Sequence, residues 1–465
     1  AIRATDRPTG QSAKSAGIEY NSLVVQRMSS TTSSLSSLSS SSSSFSSSDV
    51  ISSERKSNAG VCEGQAVGSS SPSSSSSSSS SSISSSSKPR RRLLLTGGTG
   101  FLGFHVCQIL LARGYEVRMI ARSSDPELAT LFPQIEFFEG SILSAHNLDD
   151  AMEGVTGVFH LAGLVIHSRH PPAPEEMFQT NVVGTLNVIR AAAKHQCRVV
   201  YASSSGVVGC SRDPEHFACD DDLYCYDVVR NWPYYTTKIE AEAKAIELAK
   251  ELNVELVCMR PSMMLGPGDR RFRSTHTILS FLDGKIPFTP TGGVSYLDIR
   301  DAAQAFVRAY EFPEAAGKCY LLAAMNCQLD VFFDSLERIS GVPKPWLKLP
   351  SSVAWYGAAA LDSINRNLRG KWEPGVDPVK AEMASHYWYV SSANANRDLG
   401  FKPRNPTETL TDTIRWIVEN RARYGYPSKA NEQSQRALVE RLQKRKQAHA
   451  LALRYKDPGW AVARL

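Results

Sequence analysis

Leu93-Leu94-Leu95-Thr96-Gly97-Gly98-Thr99-Gly100-Phe101-Leu102-Gly103 is the stretch from which the rest of this 465-residue chain is read. Three successive leucines make a short, wholly apolar run, the pattern of a strand covered on both faces. The glycine-rich turn comes next, then an amphipathic stretch from Phe104 to Ala112 that Arg113-Gly114 stops. The order is strand, glycine turn, helix. In such a turn Gly97 permits the tight bend, Gly100 lets backbone approach a pyrophosphate, and Gly103 lets the helix close on the strand. Thr99, Phe101 and Leu102 complete the candidate cofactor loop. A second strand, Tyr115 to Ala121, follows at once, as a nucleotide-binding unit requires and a purely structural turn does not.

The end of that second strand chooses between cofactors. A carboxylate there binds the ribose hydroxyls of NAD, whereas an arginine holds the extra phosphate of NADP. Here Ala121 stands in the acid's place, and Arg122-Ser123-Ser124 follows. A guanidinium with two hydroxyls behind it suits a phosphate dianion. The expectation is NADPH/NADP, with NAD as the other candidate; a solvent-exposed arginine is the bland reading.

The alternation continues through a strand at Ile135–Glu139, a helix at Ala145–Met152 and a strand at Gly157–Leu161. A largely helical Ala173–His195 and a strand at Arg198–Ala202 come next. Regular succession of strand and helix predicts an α/β fold, a doubly wound parallel sheet (Rossmann fold) with a smaller C-terminal substrate-binding part. Residues 89–265 are expected to be mainly the NADP-binding domain with the catalytic residues. Residues 266–428 are expected to be mainly the substrate-binding part, with interleaved Rossmann segments, and 429–465 a basic extension.

The formal charge of +6 hints at nucleic acid until it is located. The first 88 residues hold seven Lys/Arg against five Asp/Glu, and residues 429–465 hold nine against three, so 89–428 is slightly acidic. No nucleic-acid partner is expected. Residues 29–88 contain 35 serines, too little apolar surface to order the segment. That stretch reads as a disordered tail or, starting from Met28, as a transit peptide. Localisation is therefore cytoplasmic, or organellar (plastid or mitochondrion) if the transit reading holds. The longest uncharged apolar run, Val353 to Leu361, is about half of a membrane span, so no integral membrane segment is expected. Nine cysteines show no metal spacing, and buried free thiols are the preferred account; no metal is expected. The stretch Ser434–Lys456 reads as a solvated basic helix.

Asn231-Trp-Pro-Tyr-Tyr-Thr-Thr-Lys238 opens a helix with Pro233 in its first turn. Tyr234 and Lys238 are four apart and share a face, so an ammonium can favour the charged form of a phenol that is otherwise a poor acid/base near neutrality. Tyr235 is the rival, but Ile239 is its i+4 partner. Ser203-Ser204-Ser205 follows the strand Arg198–Ala202, at the strand end where ligands bind; spacing alone does not choose among the three.

Taken together these residues resemble the extended short-chain dehydrogenase/reductases of the NAD(P)-dependent epimerase/dehydratase superfamily. The resemblance covers roughly 90–425 and includes Thr96–Gly103, Val158–Gly163, Asn181–Thr185, Tyr201–Gly209, Tyr234–Lys238, Arg260-Pro261-Ser262, Gly266–Asp269 and Tyr296–Asp301. It implies Ser204 as the catalytic hydroxyl (Ser205 its competitor), Tyr234 as proton donor or acceptor, Lys238 as its partner and Asn181 in support. It implies Leu161, Ala162 and Gly163 at the nicotinamide ribose and Pro261 at the carboxamide. Where the family usually carries an acid near adenine, Ser141 and Ile142 stand. The nearest groups in resemblance are dihydroflavonol reductase-like and 3β-hydroxysteroid dehydrogenase-like, with hopanoid-associated sugar epimerase-like proteins also similar. A homodimer is common among such proteins.

Three readings of function follow. The first is an NADPH-dependent oxidoreductase acting on a carbonyl or secondary alcohol of a small-molecule substrate. The second is a sugar-nucleotide epimerase or dehydratase with tightly bound NAD(P), Arg270, Arg271 and Arg273 being the candidate diphosphate ligands. The third is a non-catalytic nucleotide-binding subunit, against which the intact Ser204, Tyr234 and Lys238 stand.

Overall fold

The three leucines form strand β1 (Arg92–Thr96) and are fully buried. The computed structural model describes residues 91–167, 171–349, 378–428 and 437–444, with single positions at 353–363 and 447. The Ser-rich segment 1–88, read as a tail or transit peptide, lies outside the described residues, as do most of 351–362 and most of 429–465. What is described belongs to one unit, Ser84–Leu465.

The elements run β1, α1 (Phe101–Ala112), β2 (Glu116–Ala121), α2 (Pro126–Leu131), β3 (Glu136–Glu139), α3 (Ala145–Met152), β4 (Gly157–His160), α4 (Ala173–Phe178), α5 (Gly184–Lys194), β5 (Arg198–Ala202), α6 (Tyr226–Val229), α7 (Pro233–Glu251) and β6 (Leu256–Pro261). They continue with β7 (Met263–Leu265), α8 (His276–Leu282), β8 (Gly293–Asp298), α9 (Ile299–Glu311), β9 (Cys319–Leu322), β10 (Met325–Gln328), α10 (Leu329–Ser340), α11 (Pro378–Met383), α12 (Ala393–Asp398) and α13 (Pro406–Asn420).

Seven strands pair in the order β3-β2-β1-β4-β5-β6-β9, every neighbour parallel. The order reverses between β1 and β4, which opens a crevice at their carboxyl ends. Because side chains alternate along a strand, Leu93 and Leu95 face one core with Val106, Leu110 and Phe306, and Leu94 faces the other with Val158, Val199 and Ala245. Helices α1 and α9 supply the first layer; α3, α5 and α7 supply the second. Local signals place the helix starts. Asp125 caps α2 by accepting from Leu128 N at 3.1 Å, Ser144 caps α3 from Asn147 N at 3.3 Å, and Pro233 opens α7.

A second sheet, β10-β8-β7, pairs β8 antiparallel with β10 and parallel with β7, over a third core containing Phe272, Phe332 and Ile414. The two parts interleave. Strand β9 and helix α9 come from beyond residue 266 yet complete the large sheet, while β7 precedes 266 yet lies in the small one.

Two expectations change. The predicted helix Ala173–His195 is interrupted by a π-helical turn at Gln179–Val183, between α4 and α5. And residues 437–444 are helical with Leu442 fully buried and Leu438 packed on the third core, so this part of the basic extension is not a solvated helix.

A Cβ added at Gly103 would fall on the Gly97 carbonyl oxygen and lie 2.6 Å from Gly98 Cα, whereas one at Gly100 meets only Gly97 O at 3.1 Å. Gly103→Ala is expected to cost about 1–3 kcal/mol through backbone overpacking, and Gly100→Ala markedly less. Urea unfolding followed by circular dichroism measures the difference; equal losses contradict the packing argument.

Candidate active site

The site grows from the carboxyl ends of β1, β4, β5 and β6. Gly97 has φ of 70°, and a Cβ there would lie 2.6 Å from both Ala162 N and the Leu161 carbonyl carbon. No side chain fits between the glycine turn and the backbone following β4, so Gly97 brings Thr99–Gly103 against Leu161-Ala162-Gly163. Leu161 N seals the contact by donating to Thr96 O at 3.2 Å. At Gly100 an added Cβ would meet one neighbour, the Gly97 carbonyl oxygen at 3.1 Å.

Along the face of α7, Tyr234 and Lys238 sit as their spacing predicts. Lys238 is 5 % exposed; its Nζ donates to Ala202 O at 2.8 Å and lies 5.1 Å from the centre of the Tyr201 ring. Burial lowers its pKa to about 8, with Glu242 pulling the other way. Burial raises the Tyr234 phenol to about 12, and a hydrogen bond from Ser204 offsets part of that. Ser204 therefore meets Tyr234; its Oγ also accepts from Gly206 N at 3.2 Å, starting the short 3-10 turn Ser205–Val207.

Asn181 is wholly buried in the π-helical turn. Its Oδ1 accepts from Leu164 N at 2.7 Å, and its Nδ2 donates to Leu164 O at 3.0 Å and Thr237 Oγ1 at 3.2 Å. Thr237 in turn donates to Tyr234 O at 2.8 Å. One amide thus fixes the loop after β4 to the first turn of α7. The extra residue of a π turn is a common device where a side chain must be re-aimed at a site.

Residues that the sequence reading passed over tie these pieces together. Ala162 N donates to Thr96 Oγ1 at 3.2 Å, Thr96 Oγ1 meets His160 Nδ1 at 2.8 Å, His160 Nε2 meets Thr185 Oγ1 at 2.9 Å, and Thr185 donates to Asn181 O at 2.6 Å. The ends assign the middle. Since Thr185 spends its proton on Asn181, it accepts from His160 Nε2–H, and Nδ1 accepts from Thr96. From Thr96 onward each donor points toward Asn181. Their threonines and histidine carry no spacing signal; only strand-end placement marks them.

Residues 93–323 match the NAD dependent epimerase/dehydratase family. A dihydroflavonol 4-reductase-like protein of Synechocystis sp. is 30% identical over 334 residues, 70% of this chain and 93% of that protein. This chain belongs to the NAD dependent epimerase/dehydratase family. Within the extended short-chain dehydrogenase/reductases, it is also 26% identical to a sterol-4-alpha-carboxylate 3-dehydrogenase (decarboxylating) of Candida albicans over 70% of this chain and 97% of that one. The solved structure of gox2253 superposes with a TM-score of 0.60 at 28% identity, covering 71% of this chain and 99% of that chain.

The donor set fits the dinucleotide that this family uses. Ser203 Oγ and Ser262 Oγ, at the ends of β5 and β6, are buried hydroxyls without a partner among the described residues. Pro261 is buried as the last residue of β6. Arg122 is exposed, and its guanidinium makes no ion pair among the described residues. Ser141 Oγ accepts from Leu143 N at 3.2 Å in a local turn, and Ile142 packs on Gly184. Arg270, read from the sequence as a candidate diphosphate ligand, pairs with Asp125 Oδ2 at 3.0 Å and Glu127 at 3.2 Å and donates to Thr99 O at 3.3 Å. Arg271 and Arg273 are exposed on either side of buried Phe272, as in a solvated loop. Among the described residues no His/Cys/Asp/Glu group could hold a metal ion, and no helix is long and apolar enough to cross a membrane.

Full burial, with the Lys238 charge beside it, lowers the His160 pKa to about 3. Between pH about 6.5 and 3 the unfolded chain binds a proton that the folded one does not, so stability falls with pH by about 1.4 kcal/mol per unit from this group. His160→Gln removes that component. Its stability deficit relative to the parent, measured by urea unfolding, should narrow from pH 7 to pH 4.5; a constant deficit contradicts the neutral, buried assignment.

Proposed function

We propose that this family member is an NADPH-dependent reductase of a flat, apolar carbonyl substrate. The observation that carries the reading is a half-buried Tyr234 that keeps its proton well above neutrality, one helical turn before a buried ammonium that is charged below about pH 8. Such a phenol is set up to give a proton rather than to take one. Ser204, already bonded to Tyr234, would donate to the same carbonyl oxygen and hold the charge that gathers there. Lys238 would favour the phenolate left behind, and Asn181 would keep Tyr234 in register with the loop after β4. When bound, the nicotinamide supplies the hydride. Gly97 to Gly103, Leu161 to Gly163 and Pro261 would hold it, with Ser141 and Ile142 toward adenine.

The preference for NADPH rests on Arg122. Asp125 and Glu127 follow closely and would repel a phosphate, but Arg270 pairs with both and Arg423 pairs with Glu127 at 3.1 Å. Their charges are offset while Arg122 stays uncommitted. The substrate class rests on ring geometry beside Tyr234. His167 meets Tyr234 edge-on at 5.9 Å, and Tyr235 tilts over Trp388 at 4.8 Å, giving an aromatic wall suited to a planar apolar partner. The engagement of Arg270 weighs against the sugar-nucleotide reading, whose diphosphate would need that cation.

Net oxidation of NADPH, followed at 340 nm across a panel of aromatic and polycyclic ketones and aldehydes, tests the reading. Turnover without net NADPH loss overturns it. Tyr234→Phe should lose about 10²–10⁴-fold in rate while NADPH quenches protein fluorescence as before. Arg122→Ala should weaken NADPH binding about tenfold or more, the worth of a charge-assisted contact, and leave NADH unchanged. Parallel losses for both nucleotides would place the phosphate elsewhere.

A further inference from the structure

Behind Lys238, one helical turn further along the same face of α7, lies a carboxylate that the proposed chemistry does not use. Glu242 is 0 % exposed. Arg260, on β6, grips it through Nε at 3.1 Å and Nη2 at 2.6 Å, and the Tyr224 hydroxyl bonds to the same carboxylate. Arg260 Nη1 continues to Asp220 O at 2.7 Å. Burying an ion pair this completely is costly unless its charges are saturated, and removing the pair in favour of apolar side chains would often be neutral or stabilising. Its position calls for a reason.

The surroundings of Lys238 provide one. From β4 it faces His160, which is neutral; from β5, Tyr201 and the Ala202 carbonyl; from the π turn, Asn181; from its own helix, Tyr234 and Glu242. Glu242 is itself held by Arg260 from β6 and Tyr224 from the loop before α6. Of these, Glu242 is the group whose charge favours the ammonium, while burial opposes it. The clamp fixes the carboxylate one helical turn from Lys238, on the same face of α7.

We propose that the buried Glu242–Arg260 pair is a positioning device for Lys238, in which Glu242 is the counter-charge that keeps the ammonium charged and seated on Ala202. Neither residue touches the reacting atoms; both act through Lys238. The consequence for turnover rests on the reductase reading above, but the effect on Lys238 itself does not.

Two readouts test it on the full chain. In ¹³C-lysine-labelled protein, with the Lys238 resonance assigned by its loss in Lys238→Met, Glu242→Gln should titrate at lower pH than the parent by about one unit. Glu242→Asp, which keeps the charge, should return it toward the parent value. The alkaline limb of the NADPH-dependent rate should move the same way, a loss of up to about tenfold near pH 8 for Glu242→Gln. A resonance that titrates as in the parent, in a variant with the parent's circular dichroism, overturns the proposal. If Glu242→Gln fails to fold, the double variant Glu242→Gln/Arg260→Gln carries the test, since it does not leave the Arg260 guanidinium buried without its carboxylate; again an unmoved Lys238 titration overturns the proposal. A parent that oxidises no NADPH refutes the reductase reading and leaves the resonance test intact.

Discussion

An ammonium almost cut off from water, seated on a single backbone carbonyl, is the constraint around which this site is arranged. Lys238 pays for its burial in lowered basicity, and each neighbouring element helps to hold it. Strand β5 ends so that Ala202 O is free to accept, α7 begins at Pro233 directly after Trp232, and Tyr201 offers its ring face. Move any of these and the charge is left without a partner in a place where water cannot replace it. Tyr234, one turn earlier, and Glu242, one turn later, gain their meaning from that charge. The directional chain from Thr96 through His160 and Thr185 to Asn181, and from Asn181 to Thr237, links the glycine turn to the first turn of α7 by hydrogen bonds.

Much of the fold is legible in the sequence. Leu93–Leu95 and Arg198–Ala202 read as buried strands because apolar runs bounded by turns have few other uses, and Ala145–Met152 has the predicted limits because Ser144 caps it. Tyr234 with Lys238 is legible from one i+4 spacing. Ser204 is distinguished from Ser205 only by its bond to Tyr234, a three-dimensional fact.

What escapes the sequence does so for identifiable reasons. The π turn at Gln179–Val183 is invisible to a period of 3.6, because Asn181 is drawn out of the helical ladder by Leu164, a residue that precedes it by a whole loop. Thr96, His160 and Thr185 are single polar residues in apolar surroundings, each unremarkable until strands β1 and β4 and helix α5 meet. Glu242 reads as one charge among several on a polar helix, yet it is fully buried, since Arg260 arrives from β6 to pair with it. Leu438 and Leu442 make a poor stripe in isolation and still find the third core. The charge of the chain followed the same course. Its sum misleads, while single cations such as Arg122, Arg270 and Lys238 have separable tasks set by what each one touches.

The central claim is that the glycine turn, the ends of β4 to β6 and the face of α7 make one site for a phosphorylated dinucleotide and its reaction. A crystal structure of the protein with NADPH tests it most directly. The account predicts the pyrophosphate on the backbone at Gly100, the 2′-phosphate on Arg122 and the nicotinamide ring between Gly163 and Tyr234. A 2′-phosphate held away from Arg122, or a nicotinamide bound out of reach of Tyr234 and Lys238, would contradict it.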